Sequence, residues 1–268
     1  DSMASTETAP GTVTPATPIH IPYPASQEKH LVITVGACRL KLRPGAGKDW
    51  VEGTYTDPTG GIPSQVVQEE TRTRIVQKPE WPARWSGIHE PPTFDLVLGT
   101  AQPFALTLET GAGEAQLDLG GLPLTRLIAR VGAGKFDLDF SAPNPQLMSM
   151  LDLTAGAAGM DVHSFANANC PEIALSGGAA AYTFDFGGRL QRDTHVRIST
   201  GLSSVVVAIP SATAATITSE SFLGGLEVGD GFTKQGGAFF TPAALQGATP
   251  LLRIDTSVAL GSVRLQLV

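Results

Sequence analysis

The sequence has little charge, few aromatic side chains and few cysteines. Of its 268 residues, 16% are charged, 6% are aromatic and two are cysteines. A net charge of −7 provides no cationic stripe for nucleic-acid phosphates, which argues against nucleic acid as a partner. Cys38 and Cys170 lie 132 positions apart without Cys-x-x-Cys spacing or a His cluster, which argues against a zinc site. One disulfide is an alternative, but two free, unreactive cysteines are the favoured state.

Long apolar runs and common catalytic motifs are also missing. The longest candidate run, Val205 to Ile209, stops at Pro210 and is far shorter than the roughly 18 residues that cross a bilayer. We therefore predict no transmembrane segment. The chain has no G-x-S-x-G, H-E-x-x-H or G-x-x-x-x-G-K-[ST] motif. These absences predict a protein without catalytic residues or a cofactor.

Glycine and proline are abundant instead. With 30 Gly, 20 Pro and 42% apolar residues, the chain is too apolar for disorder and rich in turns, so we expect a folded protein of many short elements. Residues 1–28 are rich in Thr, Pro and Ala and are predicted to form a flexible tether. Such tethers commonly hold a domain away from a membrane or wall. We therefore expect an extracytoplasmic or membrane-tethered protein whose N-terminal signal or anchor has been removed.

A repeat of two alternating strands around a glycine predicts the fold. In residues 106–220 the glycines recur at intervals of 21, 24, 22 and 23 residues, and an earlier copy lies near residue 36. The predicted corner glycines are Gly36, Gly111, Gly132, Gly156, Gly178 and Gly201. Alternation indicates half-buried strands, and a fixed period indicates stacked coils. Each corner needs either a positive φ or a position without room for a Cβ. The prediction is an all-β, right-handed β-solenoid of two-strand coils of about 22 residues.

The two ends of the predicted solenoid are less regular. The copy at Gly36 precedes Gly111 by 75 residues, so residues 29–105 contain either three degenerate coils or an irregular insertion. A Pro-rich stretch with Trp81 and Trp85 is predicted to cap this end. Residues 221–268 are predicted to form a loop and then strands that close the far end. Residues 29–268 are predicted to be one continuous domain.

These motifs resemble a known family. Gly-x-Gly corners lead into strands such as Phe136-Asp137-Leu138-Asp139-Phe140, and Gly120-Gly121-Leu122-Pro123-Leu124 lies between coils. The pattern, over about residues 31–217, resembles the toast-rack domains of bacterial cell-envelope proteins, a group similar to adhesin-like proteins and to the C-terminal region of LiaF-like stress proteins. The resemblance implies a β-solenoid-like domain with a structural, signalling or assembly role and no established active site.

The outward positions of the second strands contain acidic side chains. Alignment on the glycines places Asp118, Asp139, His163 and Asp185 in one column, and Gln116, Asp137, Asp161 and Thr183 in the next. Strands lie about 4.8 Å apart, so a hard cation such as calcium could relieve repulsion within a column. We predict instead a solvated acidic face without a metal. Arginines 126, 130, 189, 192 and 197 are expected to pair with nearby acids rather than form an anion-binding patch.

Two functional hypotheses follow. The first is a non-catalytic cell-envelope module that displays a rigid β face to a protein partner or to copies of itself, in envelope-stress signalling or adhesion. The alternative is a glycan-binding or carbohydrate-active β-helix protein that contacts cell-wall glycan through the acidic columns.

Overall fold

A computed structural model describes residues 15–77 and 90–268 of the protein. The strands of this part are β1 Ala16–Ile21, β2 His30–Gly45, β3 Val51–Thr56, β4 Ser64–Gln68, β5 Arg72–Gln77, β6 Thr93–Gly99, β7 Phe104–Asp118, β8 Leu124–Asp139, β9 Leu151–His163, β10 Glu172–Gly177, β11 Ala180–Asp185, β12 Thr194–Ile209, β13 Ala214–Val228, β14 Thr233–Gln235, β15 Ala238–Phe240 and β16 Leu251–Leu267. A 3-10 helix covers Phe165–Ala168 and α1 covers Pro242–Leu245. Neither helix is long and apolar enough to cross a membrane, and the described residues contain no other that could.

All of these strands belong to one sheet. Their order is β1-β3-β6-β2-β7-β8-β9-β10-β12-β16-β13-β15-β14, with β5 beside β2, β4 beside β5, and β11 beside β9 and β12. From β2 to β13 the neighbours pair in parallel. We call each long strand, or each pair of shorter strands that replaces one, a rung. Parallel rungs stacked around one apolar core form the predicted β-solenoid.

The rungs pair in the register that the glycine repeat predicts. Leu106 pairs with Leu127, Leu127 with Leu151, Leu151 with Ile173, and Ile173 with Val196. The predicted inward side chains of both halves of a rung lie in one core cluster; in β8 these include Leu127, Ala129, Phe136 and Leu138, each 0% exposed. Alternation therefore identified the buried face correctly.

The corner glycines form a column in which successive backbones approach closely. A Cβ on Gly156 would lie 2.7 Å from the carbonyl oxygen of Gly132, and one on Gly132 would press still closer on the carbonyl oxygen of Gly111. A positive φ occurs two residues after the corner glycine Gly132, at Gly134, whose φ is 110°. Lack of room for a Cβ therefore explains glycine at Gly132, Gly156 and Gly178, whereas a Cβ on Gly36 or Gly201 would make only ordinary contacts.

The N-terminal end contains an insertion rather than three coils. Leu31 of β2 pairs directly with Leu106 of β7. The strands between them in sequence lie on the other side of β2, where β5 and β6 together form one additional rung. The predicted Trp81–Trp85 cap falls outside the described residues.

The predicted tether is wrong for residues 16–21, which form β1. Ile19 and Ile21 are 4% and 1% exposed, and β1 pairs antiparallel with β3. Two isoleucines at alternating positions provide a small apolar face that this pairing buries. The sheet therefore begins inside a segment whose composition suggested only a linker.

The C-terminal strand does not close the solenoid, contrary to the prediction. β16 inserts between β12 and β13, so that Ile254 pairs with both Val196 and Ile217. The inward side chains of β16, such as Leu252 and Val263, are 0% exposed because a rung covers each side of the strand. β13 is therefore the last full rung.

Candidate functional site

The residues of the predicted acidic columns lie side by side on adjacent rungs, and two of them, Asp118 and Asp185, bond to the turns of the fold. Asp118 pairs with Asp139, which pairs with His163, while Asp137 pairs with Asp161. These residues lie on three adjacent rungs, and Asp185 lies on β11 in the rung after them. Strand pairing therefore places these side chains next to each other across neighbouring rungs.

Individual contacts explain several of these carboxylates without a ligand. Asp118 accepts hydrogen bonds from the Gly120 amide at 2.9 Å and from the Ser141 hydroxyl at 2.7 Å. Asp185 accepts one from the Gly187 amide at 2.9 Å. A carboxylate that bonds to the amide two residues later stabilises a tight turn. These aspartates thus fix the turns that end the second strands.

A different group has the closest arrangement of metal-ligand types. Within residues 15–77 and 90–268, His20, Asp49 and Glu52 are the one group of three such side chains whose ligand atoms all lie within 4.8 Å of each other. The predicted acidic column is not such a group. His20 is exposed, and its Nδ1 lies 3.5 Å from Asp49 Oδ2, so an ordinary polar contact at the surface accounts for their proximity.

The two cysteines are buried and free. Burial raises the pKa of Cys38 to about 12 and that of Cys170 to about 11. A thiol must lose its proton to become a nucleophile or metal ligand, so burial keeps both cysteines unreactive.

A polar network crosses the outer face near the C-terminal end. His195 Nε2 lies 2.6 Å from Asp255 Oδ2, and its Nδ1 lies 3.4 Å from Glu172. Burial alone would raise the pKa of Asp255, but hydrogen bonds from Thr218 and His195 and the nearby charge of Arg253 lower it below the ordinary value. This network connects the last four rungs of the stack.

The last rung has an uncovered edge. β15 pairs only with residues 216–218 of β13, and no other described strand pairs along residues 219–228 on the side away from β16. Phe222 and Leu223 on this segment are 92% and 66% exposed. Leu226 pairs with the buried Val263, so it faces the core, yet it remains 40% exposed. Unpaired strand edges recruit other strands.

Apolar side chains next to this edge extend along the corner of the stack. Leu202 of β12 pairs with Leu260 of β16, and Leu260 pairs with Leu223 of β13. Their exposed fractions are 58%, 46% and 66%. The corresponding position in four earlier paired rungs is Ala37, Ala112, Ala133 and Ala157. We call Leu202, Leu260, Leu223, Phe222 and Leu226 the apolar end patch.

This patch was not predicted, although the sequence contains a signal for it. The residue after the corner changes from Ala to Leu at Leu202. The glycine spacing and the inward alternation, from which the fold was predicted, are the same in the rungs with Ala and in the rung with Leu202.

The stacked rungs and the apolar end patch together define the class of protein. It is a β-solenoid repeat protein with an uncovered, apolar end. The particular family follows from its sequence. The profile for the N-terminal domain of toast_rack, DUF2154, matches residues 9–163, more than half of the chain, and the protein belongs to this family. The resemblance found in the sequence is thereby confirmed.

Three solved structures that match the chain are distant in sequence. A candidate cell adhesion protein from Clostridium sporogenes is 13% identical with a TM-score of 0.47, over 96% of this chain and 100% of that one. A candidate adhesin from Bacteroides fragilis is 8% identical with a TM-score of 0.47, over 96% and 98%. A candidate lipid binding protein from Parabacteroides distasonis is 10% identical with a TM-score of 0.39, over 95% and 97%. No curated protein matches the chain.

Proposed function

We propose that this protein is a non-catalytic interaction module of the bacterial cell envelope that self-associates through the apolar end patch and the open edge of β13. Membership of the toast-rack family supports the envelope location, since the motifs resemble toast-rack domains of envelope proteins. The observation that carries the proposal is the coincidence of an unpaired strand edge with a row of exposed large apolar side chains.

The sequence of the open edge is compatible with pairing to a second copy. In an antiparallel pair centred on Gly224, Phe222 of one copy lies opposite Leu226 of the other. Glu220 then lies opposite Val228, and Glu227 opposite Ser221, so no two glutamates face each other. Opposite apolar residues stabilise such a pair and opposite like charges destabilise it. A two-fold pairing also closes after two copies.

Sedimentation velocity tests this proposal. The wild-type chain is expected to change from monomer to dimer between about 1 μM and about 1 mM, the range of weak interfaces. Phe222→Lys and Leu223→Lys place a charge on the exposed edge and should abolish the dimer without affecting the fold. Leu147→Lys is the matched control, since Leu147 is 46% exposed outside the patch.

The results separate the alternatives. A wild-type chain that stays monomeric over the whole range contradicts self-association, and so does equal dimerisation of the Phe222→Lys variant. The glycan hypothesis depends on the acidic columns instead. Glycan-array binding that Asp137→Ala and Asp139→Ala abolish and Phe222→Lys retains would favour it over the proposed function.

A further inference from the structure

A polar cleft lies at the other side of the molecule, where the first rungs begin. Its volume is about 560 Å³. Its lining comes from the residues at the start of β2, β5, β7 and β8, and its charged or titratable members are Glu28, Lys29, His30, Arg72 and Arg126. We call this cavity the basic cleft. Its volume is in the range of small-molecule binding sites.

The cations of the basic cleft have no acidic partners in the described part of the chain. None of the ion pairs between described residues involves Lys29, Arg72 or Arg126. Arg130, four residues after Arg126 on β8, differs because it pairs with Glu109 at 3.4 Å. Three such cations against the one carboxylate of Glu28 give this cavity a net positive charge in a chain of net charge −7.

Arg126 provides a second, independent observation. Its Nε is buried and has no hydrogen-bond acceptor among the described residues. A buried donor without an acceptor is costly, so native structures nearly always satisfy such a group with protein, water or ligand. An acceptor bound in the cleft that Arg126 lines would satisfy this donor.

His30 responds to the same charges. Its Nε2 lies 2.8 Å from the Thr107 hydroxyl. Burial, followed by the positive charges of Arg126 and Arg72, lowers the pKa of His30. Both arginines therefore act on one point in the wall of the cleft.

We propose that the basic cleft binds a phosphate ester. Two guanidinium groups and an ammonium match the several oxygens of a phosphate, because each guanidinium fork donates to two oxygens at once. The cleft is larger than a phosphate group, which leaves room for the part of the ligand that bears the phosphate. A soluble ester and a lipid headgroup share this chemistry.

Calorimetric titration with glycerol 3-phosphate tests the site, with inorganic phosphate and glucuronate as comparison ligands. Co-sedimentation with phosphatidylglycerol or phosphatidylcholine vesicles tests the headgroup source. The wild-type chain should bind glycerol 3-phosphate saturably. Arg126→Gln and Arg72→Gln should each weaken this binding at least about ten-fold, as expected for a charge-assisted hydrogen bond. Arg130→Gln, the control on the same rung, should change it less than about two-fold.

Each outcome decides the proposal. Arg72 is exposed, so Arg72→Gln keeps the test valid if Arg126→Gln does not fold. Binding to phosphatidylglycerol vesicles alone, lost in Arg72→Gln and kept in Arg130→Gln, identifies a headgroup as the source. The proposal is overturned if no phosphate compound or vesicle binds, if glucuronate binds as tightly, or if Arg130→Gln weakens binding as much as Arg126→Gln. None of these results depends on whether the chain dimerises.

Discussion

The two ends of the sheet differ in how completely the last rung is covered. At the N-terminal end, β5 and β6 are covered in turn by β4 and β3, and inward residues such as Phe94 and Leu96 are 0% exposed. At the C-terminal end, β15 covers only the start of β13, and Leu226 stays 40% exposed. One end is sealed by antiparallel strands and the other is left half open.

Under the proposed self-association, this difference gives the two ends different roles. Solenoids need caps, because an uncovered rung exposes both core side chains and unpaired backbone groups. The proposed pairing uses the end where an open edge coincides with a row of exposed apolar side chains, so it joins two copies and then stops. The asymmetry therefore favours a dimer over an open fibre.

Truncating one leucine to alanine at each end of the sheet should give the largest difference in the free energy of unfolding between matched variants. Leu96→Ala removes a fully buried side chain and is expected to lower the free energy of unfolding by about 3 kcal/mol. Leu226→Ala, in the last rung, should lower it by less than about 1 kcal/mol because that side chain remains partly in water. Urea unfolding of the two monomeric variants measures both values. Equal losses would show that the C-terminal end is as well covered as the N-terminal end.

The central rungs were predictable because their order follows the chain. Leu127, Leu151 and Ile173 pair as the glycine spacing indicates, since each strand meets the next one in sequence. The order at the ends was not predictable from the same pattern. β13 and β16 alternate alike, so either could lie beside β12, and alternation reveals the buried face but not the neighbour.

The candidate sites illustrate the same limit. Lys29, Arg72 and Arg126 are far apart in sequence and line one cavity because β5, β2, β7 and β8 are successive neighbours in the sheet. Arg126 and Arg130 were grouped together from the sequence. In the fold, however, Arg130 pairs with Glu109, whereas Arg126 lines the basic cleft. Long-range pairing, rather than a local motif, assembles the basic cleft.

Substitution of the corner glycines should have an effect of intermediate size on the free energy of unfolding. Gly132→Ala would press a methyl group onto the Gly111 carbonyl oxygen and should lower the free energy of unfolding by about 2 kcal/mol. Gly201→Ala, nearer the open end, would meet the Gly178 carbonyl oxygen at 3.7 Å, an ordinary contact. Its stability should be unchanged or up to about 1 kcal/mol higher, since alanine restricts the unfolded chain. Thermal and urea unfolding would contradict this account if both variants lost the same stability.

The smallest expected effect concerns Asp255 near the open end, and it depends on pH. Its carboxylate bonds to Thr218 and His195, and its pKa lies below the ordinary value of 3.8. A carboxyl group with a lowered folded pKa stabilises the protein above the ordinary pKa, and this contribution is lost as pH falls through the folded value. Asp255→Asn should therefore cost about 1 kcal/mol near pH 7, a modest value because the side chain is 34% exposed. The difference from wild type should shrink below pH 3.8. Asp230→Asn, on an exposed loop, is the control, and an equal pH-dependent loss in that variant would assign the effect to net charge rather than to the network.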